Sequence, residues 1–157
     1  MLRDGRQAGF TLIELLIVVA IIGLIAAIAI PNLMTAMDAA KQKKSMADMK
    51  SLHQAIERYQ IDVNNYPIST SMATIESLGS SMGLEPDYIA KAPARDGWGG
   101  PYFYGSDAGG SGSDYTIMSY GKDHKLSPGS VGQTHDFDCD IIFQNGVFTA
   151  APEGAQK

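Results

Sequence analysis

The dominant pattern in the chain is a long apolar run near the N-terminus, followed by a more polar remainder. The run extends from Phe10 to Ile30 and is interrupted only by Thr11, Glu14 and Gly23. At about 1.5 Å per residue, a helix of this length spans roughly 30 Å, the thickness of the hydrocarbon core of a bilayer. The run therefore predicts a transmembrane helix.

The helical pattern continues beyond Pro31. Residues 32–60 are rich in Ala, Met, Lys and Gln, and apolar residues such as Met49 and Leu52 recur at helical spacing. We predict one long helix from about Phe10 to Ile61, kinked or loosened at Pro31. The apolar stripe on its second half requires a folded domain to cover it.

The rest of the chain alternates short apolar runs with Gly and Pro residues, which is typical of a small sheet. Asn145-Gly146 favours a tight hairpin turn, and Asn64 and Pro67 favour the end of the long helix. One or two short helices are expected within Ser69–Tyr88, and a hairpin loop within Asp107–Asp114. The predicted strands are Tyr102–Gly105, Tyr115–Tyr120, Phe137–Phe143 and Val147–Ala150.

The predicted fold class is therefore α+β: a long N-terminal transmembrane helix with a small antiparallel β-sheet packed on its C-terminal half. Formal net charge is −5, which gives the chain no general attraction to nucleic acid. Cys139 is the single cysteine, so no disulfide forms within the chain. The sequence contains no Gly-x-Ser-x-Gly element or phosphate loop, and its histidines lack partners at catalytic spacing, so we do not expect an enzyme.

Glu14 is the feature of the apolar run that demands an explanation. A secretory signal peptide, with Arg3 and Arg6 before the run, would be shorter and would not contain an acid. An ordinary membrane anchor has no use for it, although the side chain could snorkel to the interface. Cleavage of the Gly9–Phe10 bond would create a cationic amine four residues away, able to neutralise Glu14 in the same or a neighbouring chain.

The residues Gly9-Phe10-Thr11-Leu12-Ile13-Glu14-Leu15, with Pro31 closing the run, resemble the class III signal of type IV pilins and type II secretion pseudopilins. The resemblance implies that a prepilin peptidase cuts after Gly9 and N-methylates Phe10. It also implies that Glu14 pairs with the Phe10 amine of an adjacent subunit during assembly. The chain then divides into a cleaved leader (1–9), a transmembrane and filament-core helix (10–30) and a periplasmic domain (31–157).

The same resemblance implies an inner-membrane location, with the N-terminus cytoplasmic and the folded domain periplasmic. Counting cations does not give this orientation, because more lysines follow the apolar run than precede it. The implied partners are further copies of the chain in a helical filament, minor pseudopilins, the prepilin peptidase, and an inner-membrane assembly platform with its ATPase.

A second likeness lies in Asp96-Gly97-Trp98-Gly99-Gly100-Pro101-Tyr102. By itself this is a Gly/Pro turn with a tryptophan for the core. It resembles the Asp-Pro-Trp-Gly-Asn-Pro-Tyr element of the major type II secretion pseudopilin, with Gly97 and Gly100 in place of Pro and Asn. We expect these glycines to loosen the turn.

Acidic residues suggest a cation site near the C-terminus. In the predicted strand, alternation would place Asp136, Asp138 and Asp140 on one face, with Cys139 on the other. Carboxylates near a Gly-rich loop suit Ca²⁺, although an acidic solvent-facing surface is an equal alternative. A transition-metal site using His124, His135 and Cys139 is disfavoured, because the strand phase turns the thiol away.

The resemblance favours Ca²⁺, because the matching loop of the major pseudopilin binds calcium. It implies Asp123 and Asp140 as ligands and Tyr120 as a backbone carbonyl donor. Asp138 would substitute for an acid that falls on Cys139. His124 in place of Gly, and a longer segment at 126–134, depart from the family pattern.

The function implied by the resemblance is that of the major pseudopilin, polymerising into the periplasmic filament that drives type II secretion. Two alternatives stay open from the residues. One is a type IV pilin that forms a surface fibre for adhesion or motility. The other is a membrane-tethered periplasmic binding module, which would be indifferent to Glu14.

We predict that mass spectrometry of the mature protein will show a chain that begins at N-methylated Phe10. This follows from the match at the Gly9–Phe10 bond. An intact Met1, or a chain starting at Ile30 after signal-peptidase cleavage, would contradict the pilin interpretation.

Overall fold

The computed structural model of the chain describes residues 9–69, 71–78, 82–106, 113–127, 132–154 and 156. The chain divides into two compact units, with the boundary between Ala36 and Met37. The predicted leader (1–9) lies outside the described residues except for Gly9.

Helix α1 runs from Leu12 to Val63, 52 residues, and so confirms the prediction of one long helix to within two residues at each end. Its helical assignment is uninterrupted at Pro31. Thr35 donates its hydroxyl hydrogen to the Pro31 carbonyl oxygen (3.2 Å). The helix is long and apolar enough to cross a membrane. Its most apolar 18-residue stretch has a mean hydropathy of 3.0, and none of that stretch is buried.

The end of α1 follows the expected chemistry. Asn64 has a φ of 62°, the left-handed conformation that asparagine tolerates better than most residues. Its backbone N–H donates to the Gln60 carbonyl oxygen (2.7 Å), closing the last turn. Helix α2, Ile75–Leu78, is the short helix expected after it.

A six-stranded sheet follows, with strand order β1-β2-β3-β5-β6-β4. All neighbours pair antiparallel except β4 and β6, which are parallel, so the sheet is mixed rather than wholly antiparallel. Sequence periodicity did not predict β1 or β4, which are two and three residues long. The strands are β1 Ala73–Thr74, β2 Phe103–Ser106, β3 Tyr115–Ser119, β4 Gly132–Thr134, β5 Ile141–Gln144 and β6 Val147–Pro152.

The predicted strand Phe137–Phe143 is wrong in its first half, because β5 begins only at Ile141. Residues 136–140 form a turn instead. The Asp136 carboxylate accepts the backbone N–H of Asp138 (3.1 Å). The backbone carbonyl oxygen of Asp136 accepts the backbone N–H of Cys139 (3.3 Å). Aspartate that hydrogen-bonds the nearby backbone in this way competes with strand pairing.

The hairpin between β5 and β6 is confirmed. Asn145 and Gly146 have φ values of 47° and 85°, so both central residues are in the left-handed region that a type I′ turn requires. The loop between β2 and β3 lies largely outside the described residues, but the two strands pair antiparallel as expected.

The core lies between one face of the sheet and the second half of α1. Met49, Leu52 and Ile56 of the helix form one cluster with inward residues of the strands, among them Ile117 and Phe143. Inward residues alternate along β3, as the pleat of a strand requires. The apolar stripe predicted on α1 is therefore covered by the sheet.

Gly97 brings its turn into backbone contact with α1. Its N–H donates to the Ser45 hydroxyl oxygen (2.9 Å). A Cβ atom added at Gly97 would lie 2.2 Å from the Lys41 carbonyl oxygen, a clash between two backbones that neither can relieve easily. This position needs glycine because of the close approach, not because of its φ.

We predict that Gly97→Ala will lower the free energy of unfolding by about 1–3 kcal/mol, the usual cost of overpacking. Thermal melting of a fragment that begins at Asn32 measures this. Gln54→Ala, on the exposed side of the same helix, is the control and should change stability by less than about 0.5 kcal/mol. Equal melting temperatures for the Gly97→Ala and native fragments would contradict the close contact.

Candidate functional site

The N-terminal residues that carry the assembly prediction lie at the start of α1. Phe10 is 72% exposed. The Glu14 carboxylate accepts the backbone N–H (3.4 Å) and the hydroxyl (3.3 Å) of Thr11, while the Glu14 backbone N–H donates to the Thr11 hydroxyl oxygen (3.2 Å). This reciprocal pattern is a capping box, in which the residue before the helix and the third helical residue satisfy each other's backbone.

Glu14 therefore has a local role that the sequence analysis missed, although the signal was present as Thr11-x-x-Glu14. The capping contact uses one carboxylate oxygen and leaves the side chain exposed. In the described part of the chain no Lys, Arg or His forms an ion pair with it. Capping alone does not require a charge, because glutamine serves equally in a capping box.

A second group of polar residues ties the domain to α1 just after the boundary between the two units. Asp38 is buried, and its two carboxylate oxygens accept the indole N–H of Trp98 (3.2 Å) and the ammonium of Lys122 (3.0 Å). The hydrogen bond to Asp38 raises the pKa of Lys122, so the pair stays charged at neutral pH. The turn at Trp98 and the loop at Lys122 therefore contact the same helical residue.

The turn that begins at Asp96 is well fixed, contrary to the expectation that its glycines loosen it. The buried Asp96 carboxylate accepts the N–H groups of Trp98 (2.9 Å) and Gly100 (2.8 Å) and the Ser119 hydroxyl (2.6 Å). Gly97 donates an N–H to Ser45 that a proline could not supply. Glycine at 97 thus supports closer docking on the helix.

The other departures from the family pattern lie next to each other. A Cβ atom at Gly100 would be 2.5 Å from Nδ1 of His124, so the imidazole occupies the space above this glycine. His124 itself has a φ of 56°, the conformation that its glycine in the family pattern would adopt freely. A small residue at 100 therefore accommodates a large one at 124.

Asp140 is the most unusual acid of the candidate cation site. It is 1% exposed; Oδ2 accepts the backbone N–H of Ser127 (3.0 Å), while Oδ1 is buried without a hydrogen-bond partner in the described structure. Burial raises the pKa of Asp140, and the charge of Asp123 adds to the effect. A buried oxygen with no donor is costly unless a proton, a water or a cation satisfies it.

The other predicted ligands are placed unequally. Asp123 is half-buried in the loop after β3, and its carboxylate accepts the Lys125 N–H (2.9 Å). Tyr120 packs its ring on Phe103, with 4.3 Å between the ring centroids. Asp138 is exposed in the 136–140 turn, so the expectation that Asp136, Asp138 and Asp140 share one strand face is wrong.

No group of three or more His, Cys, Asp or Glu side chains that could hold a metal occurs among the described residues. Burial raises the pKa of the Cys139 thiol, which disfavours the thiolate that a transition metal needs. His135 bonds the Glu153 carbonyl oxygen through Nδ1 (2.7 Å). Any hard cation here would rely on Asp123, Asp140 and backbone carbonyl oxygens, donors that Ca²⁺ accepts.

Two known sequence families match the chain. Residues 32–139 match the family described as type II secretion system (T2SS), protein G. Residues 4–30 match the prokaryotic N-terminal methylation motif. The resemblance seen in Gly9–Leu15 and in the C-terminal domain is thereby confirmed.

Similar proteins share the description "type II secretion system core protein G". The protein from Escherichia coli K12 is 33% identical, with 80% of this chain and 89% of the relative covered. That of Pseudomonas aeruginosa is 34% identical, with 79% and 89% covered. A solved structure, the major pseudopilin of the type 2 secretion system of enterohaemorrhagic E. coli, matches at 26% identity and a TM-score of 0.45, covering 74% of this chain and 95% of that one.

Proposed function

The chain belongs to the type II secretion system protein G family, and we propose that it is the major subunit of a secretion pseudopilus. The protein G family match at residues 32–139 supports this function over that of a surface type IV pilin, whereas the N-terminal methylation motif fits both classes. In this role the chain is a structural subunit rather than an enzyme. Its work is to pack against further copies of itself.

The observation that carries the proposal is an exposed apolar helix that begins with one carboxylate. Large apolar side chains such as Leu12, Leu24 and Ile28 stay more than half exposed on α1. Such a surface is stable only in lipid or against other apolar helices. We propose that it lies in the inner membrane before assembly and in the filament core afterwards.

Glu14 supplies the selectivity of this packing. Cleavage after Gly9 places a cationic amine on Phe10, next to the capping box. An uncompensated carboxylate in hydrocarbon costs about 2.5–3.5 kcal/mol near the centre of a bilayer and less near its edge. Pairing with the Phe10 amine of a neighbouring subunit removes that cost, so a subunit that enters the filament in the correct register is favoured. The prepilin peptidase and a membrane assembly platform with its ATPase are the partners that this route requires.

The two roles of Glu14 can be separated by substitution. Glu14→Gln keeps a side chain able to cap Thr11 but removes the charge, whereas Glu14→Ala removes both. We expect both variants to lower the amount of pelletable filament by about tenfold or more, because each leaves the Phe10 amine without its counter-charge. The measurement is filament recovered from cells that carry the assembly machinery.

Thr11→Ala is the matched control, because it breaks the capping box and keeps the charge. It should reduce filament much less than Glu14→Gln. If Glu14→Gln assembles like the native chain while Thr11→Ala fails, the acid acts as a helix cap and the charge-pair proposal is wrong.

We also propose that the loop around Asp140 binds Ca²⁺ and so stabilises the domain in place of a disulfide. The orphaned, buried Oδ1 of Asp140 supports this, as does the charge of Asp123 beside it. Asp123, Asp140 and the Tyr120 carbonyl are the donors proposed. Asp138 is kept as a secondary candidate, since its side chain is exposed rather than buried beside Asp140.

Calcium should raise the melting temperature of a fragment that begins at Asn32, and a chelator should reverse the effect. A ligand at 100 times its Kd adds about 2.7 kcal/mol to the free energy of unfolding. Asp140→Asn should abolish the calcium response, while Asp136→Asn, a change to an exposed acid, should preserve it. An unchanged melting temperature with calcium and with chelator would contradict the metal site.

When a chelator is present, the free energy of unfolding of the same fragment should depend on pH through Asp140. Burial raises the folded-state pKa of this carboxyl, so the folded state binds its proton more tightly than the unfolded chain does. The contribution of Asp140 to the free energy of unfolding is therefore fully present below the pKa of the unfolded chain. It is lost as the pH rises through the raised pKa of the folded state. Asp140→Asn should remove this dependence.

A further inference from the structure

One exposed face of α1 in the folded unit is basic, and its cations form no ion pair with the described residues. Lys43, Lys50 and Arg58 lie on it at spacings of seven and eight residues, two turns of a helix, and all three are exposed. Ala47 and Gln54, also exposed, complete the face. In the described part of the chain none of the three cations forms an ion pair. We call these five residues the basic face.

The described acids of the same helix form no ion pair with the basic face; Asp62, four residues after Arg58, accepts the Tyr88 hydroxyl (3.0 Å). Asp48 pairs with Lys44 (2.9 Å), and Asp38 accepts Lys122 from the far loop. Glu57 borders the face, but its carboxylate accepts the Tyr66 hydroxyl (3.1 Å) and lies 3.5 Å from His53. A cluster of like charge is thus kept on one surface of a chain whose net charge is −5.

Beside Lys50 the basic face has an apolar edge. The Lys50 ammonium lies 5.7 Å from the centroid of the Phe148 ring, and Val147 at the tip of the β5–β6 hairpin is 64% exposed. Together with His53 they line a groove of 410 Å³ between the helix and the hairpin. Exposed ion pairs alone contribute little binding free energy. Burial of the apolar edge would add affinity to a contact made through the basic face.

The opposite charge occurs elsewhere on the same unit, in the turn formed by residues 136–140. Asp136 and Asp138 are both exposed, and neither forms an ion pair with a described residue. The pKa of Lys122 is raised mainly by its hydrogen bond to Asp38, and to a smaller extent by the charges of Asp138 and Asp136. The Lys122 ammonium is bound to Asp38, so it does not form an ion pair with the two exposed acids. We call Asp136 and Asp138 the acidic turn.

We propose that the basic face of one copy docks the exposed carboxylates of the acidic turn of a second copy, and that this contact fixes how folded domains stack in the filament; the buried Asp140 stays available to the proposed cation. The inference rests on the proposed filament function. Two different, complementary patches on one molecule make a head-to-tail contact, which repeats into an open helix when it does not close into a ring. Charge complementarity also excludes the reverse pairings, because two basic faces or two acidic turns repel.

Charge reversal in the full-length chain tests this contact in cells that carry the assembly machinery. Lys50→Glu with Arg58→Glu should lower pelletable filament by about tenfold, and Asp138→Lys should also lower it. Asp136 is kept, because its carboxylate accepts the Asp138 N–H that holds the turn. All three changes combined in one chain should restore filament to within about twofold of the native amount, because the reversed charges again match. Loss of a calcium ligand or of folding could not be restored in this way.

Asp87→Lys is the matched control, since it reverses an exposed acid outside the acidic turn and should leave assembly unchanged. Cross-linking gives an independent measurement of proximity. With Cys139→Ser, the pair Lys50→Cys and Asp138→Cys should form covalent dimers and larger species, whereas Asp87→Cys paired with Asp138→Cys should not.

The possible outcomes separate the contact from the function. Native assembly by the reversed variants, with no cross-links, overturns the docking contact and leaves the filament function standing. Loss of filament in the basic-face variant without restoration by the combined changes also overturns it, and indicates that an acidic partner such as a lipid surface uses the face. A native chain that yields no filament overturns the proposed function and this contact together.

Discussion

The structure depends on how the apolar side chains of one long helix are kept out of water. Helix α1 is a single element from Leu12 to Val63, but its two halves solve the problem differently. In the second half, Met49, Leu52 and Ile56 are covered by the sheet of the same chain. In the first half no part of the described chain covers the apolar side chains, so lipid or other copies must do so.

The polar contacts at the boundary between the units serve the covered half. Trp98 and Lys122 both bind Asp38, and Gly97 lets the turn reach the Lys41 backbone. These bonds anchor two loops of the domain at the first buried residue of the helix in that unit. The Asp38 carboxylate is buried whereas the Lys122 side chain is exposed, so the contact lies at the edge of the domain. The domain therefore holds its helix by specific bonds as well as by apolar packing.

Charge is distributed to match these two tasks. Within the fold, the acids that are buried are engaged: Asp38 by Trp98 and Lys122, and Asp96 by its own turn. Asp140 is the exception, with one buried oxygen unsatisfied, and it is there that a cation is proposed. The charges of the basic face and the acidic turn, which form no ion pair in the described chain, lie on the surface. That arrangement suits a subunit whose remaining interactions are made with other molecules.

Local sequence patterns were sufficient to predict the long helix, its apolar N-terminal half, the Asn64 and Asn145-Gly146 turns and the family signature at Gly9–Leu15. These depend on local chemistry: helical periodicity, left-handed tolerance of Asn and Gly, and a motif read within a few residues. The capping box of Thr11 and Glu14 is also a local motif, but it was not predicted, although the three-residue spacing of the two side chains is visible in the sequence. The parallel pairing of β4 with β6 and the tight docking of Gly97 depend on residues far apart in the chain, so only the folded structure shows them. The late start of β5 and the placement of Asp138 in a turn have a local cause, because the hydrogen bonds of Asp136 outcompeted the alternation that predicted a longer strand.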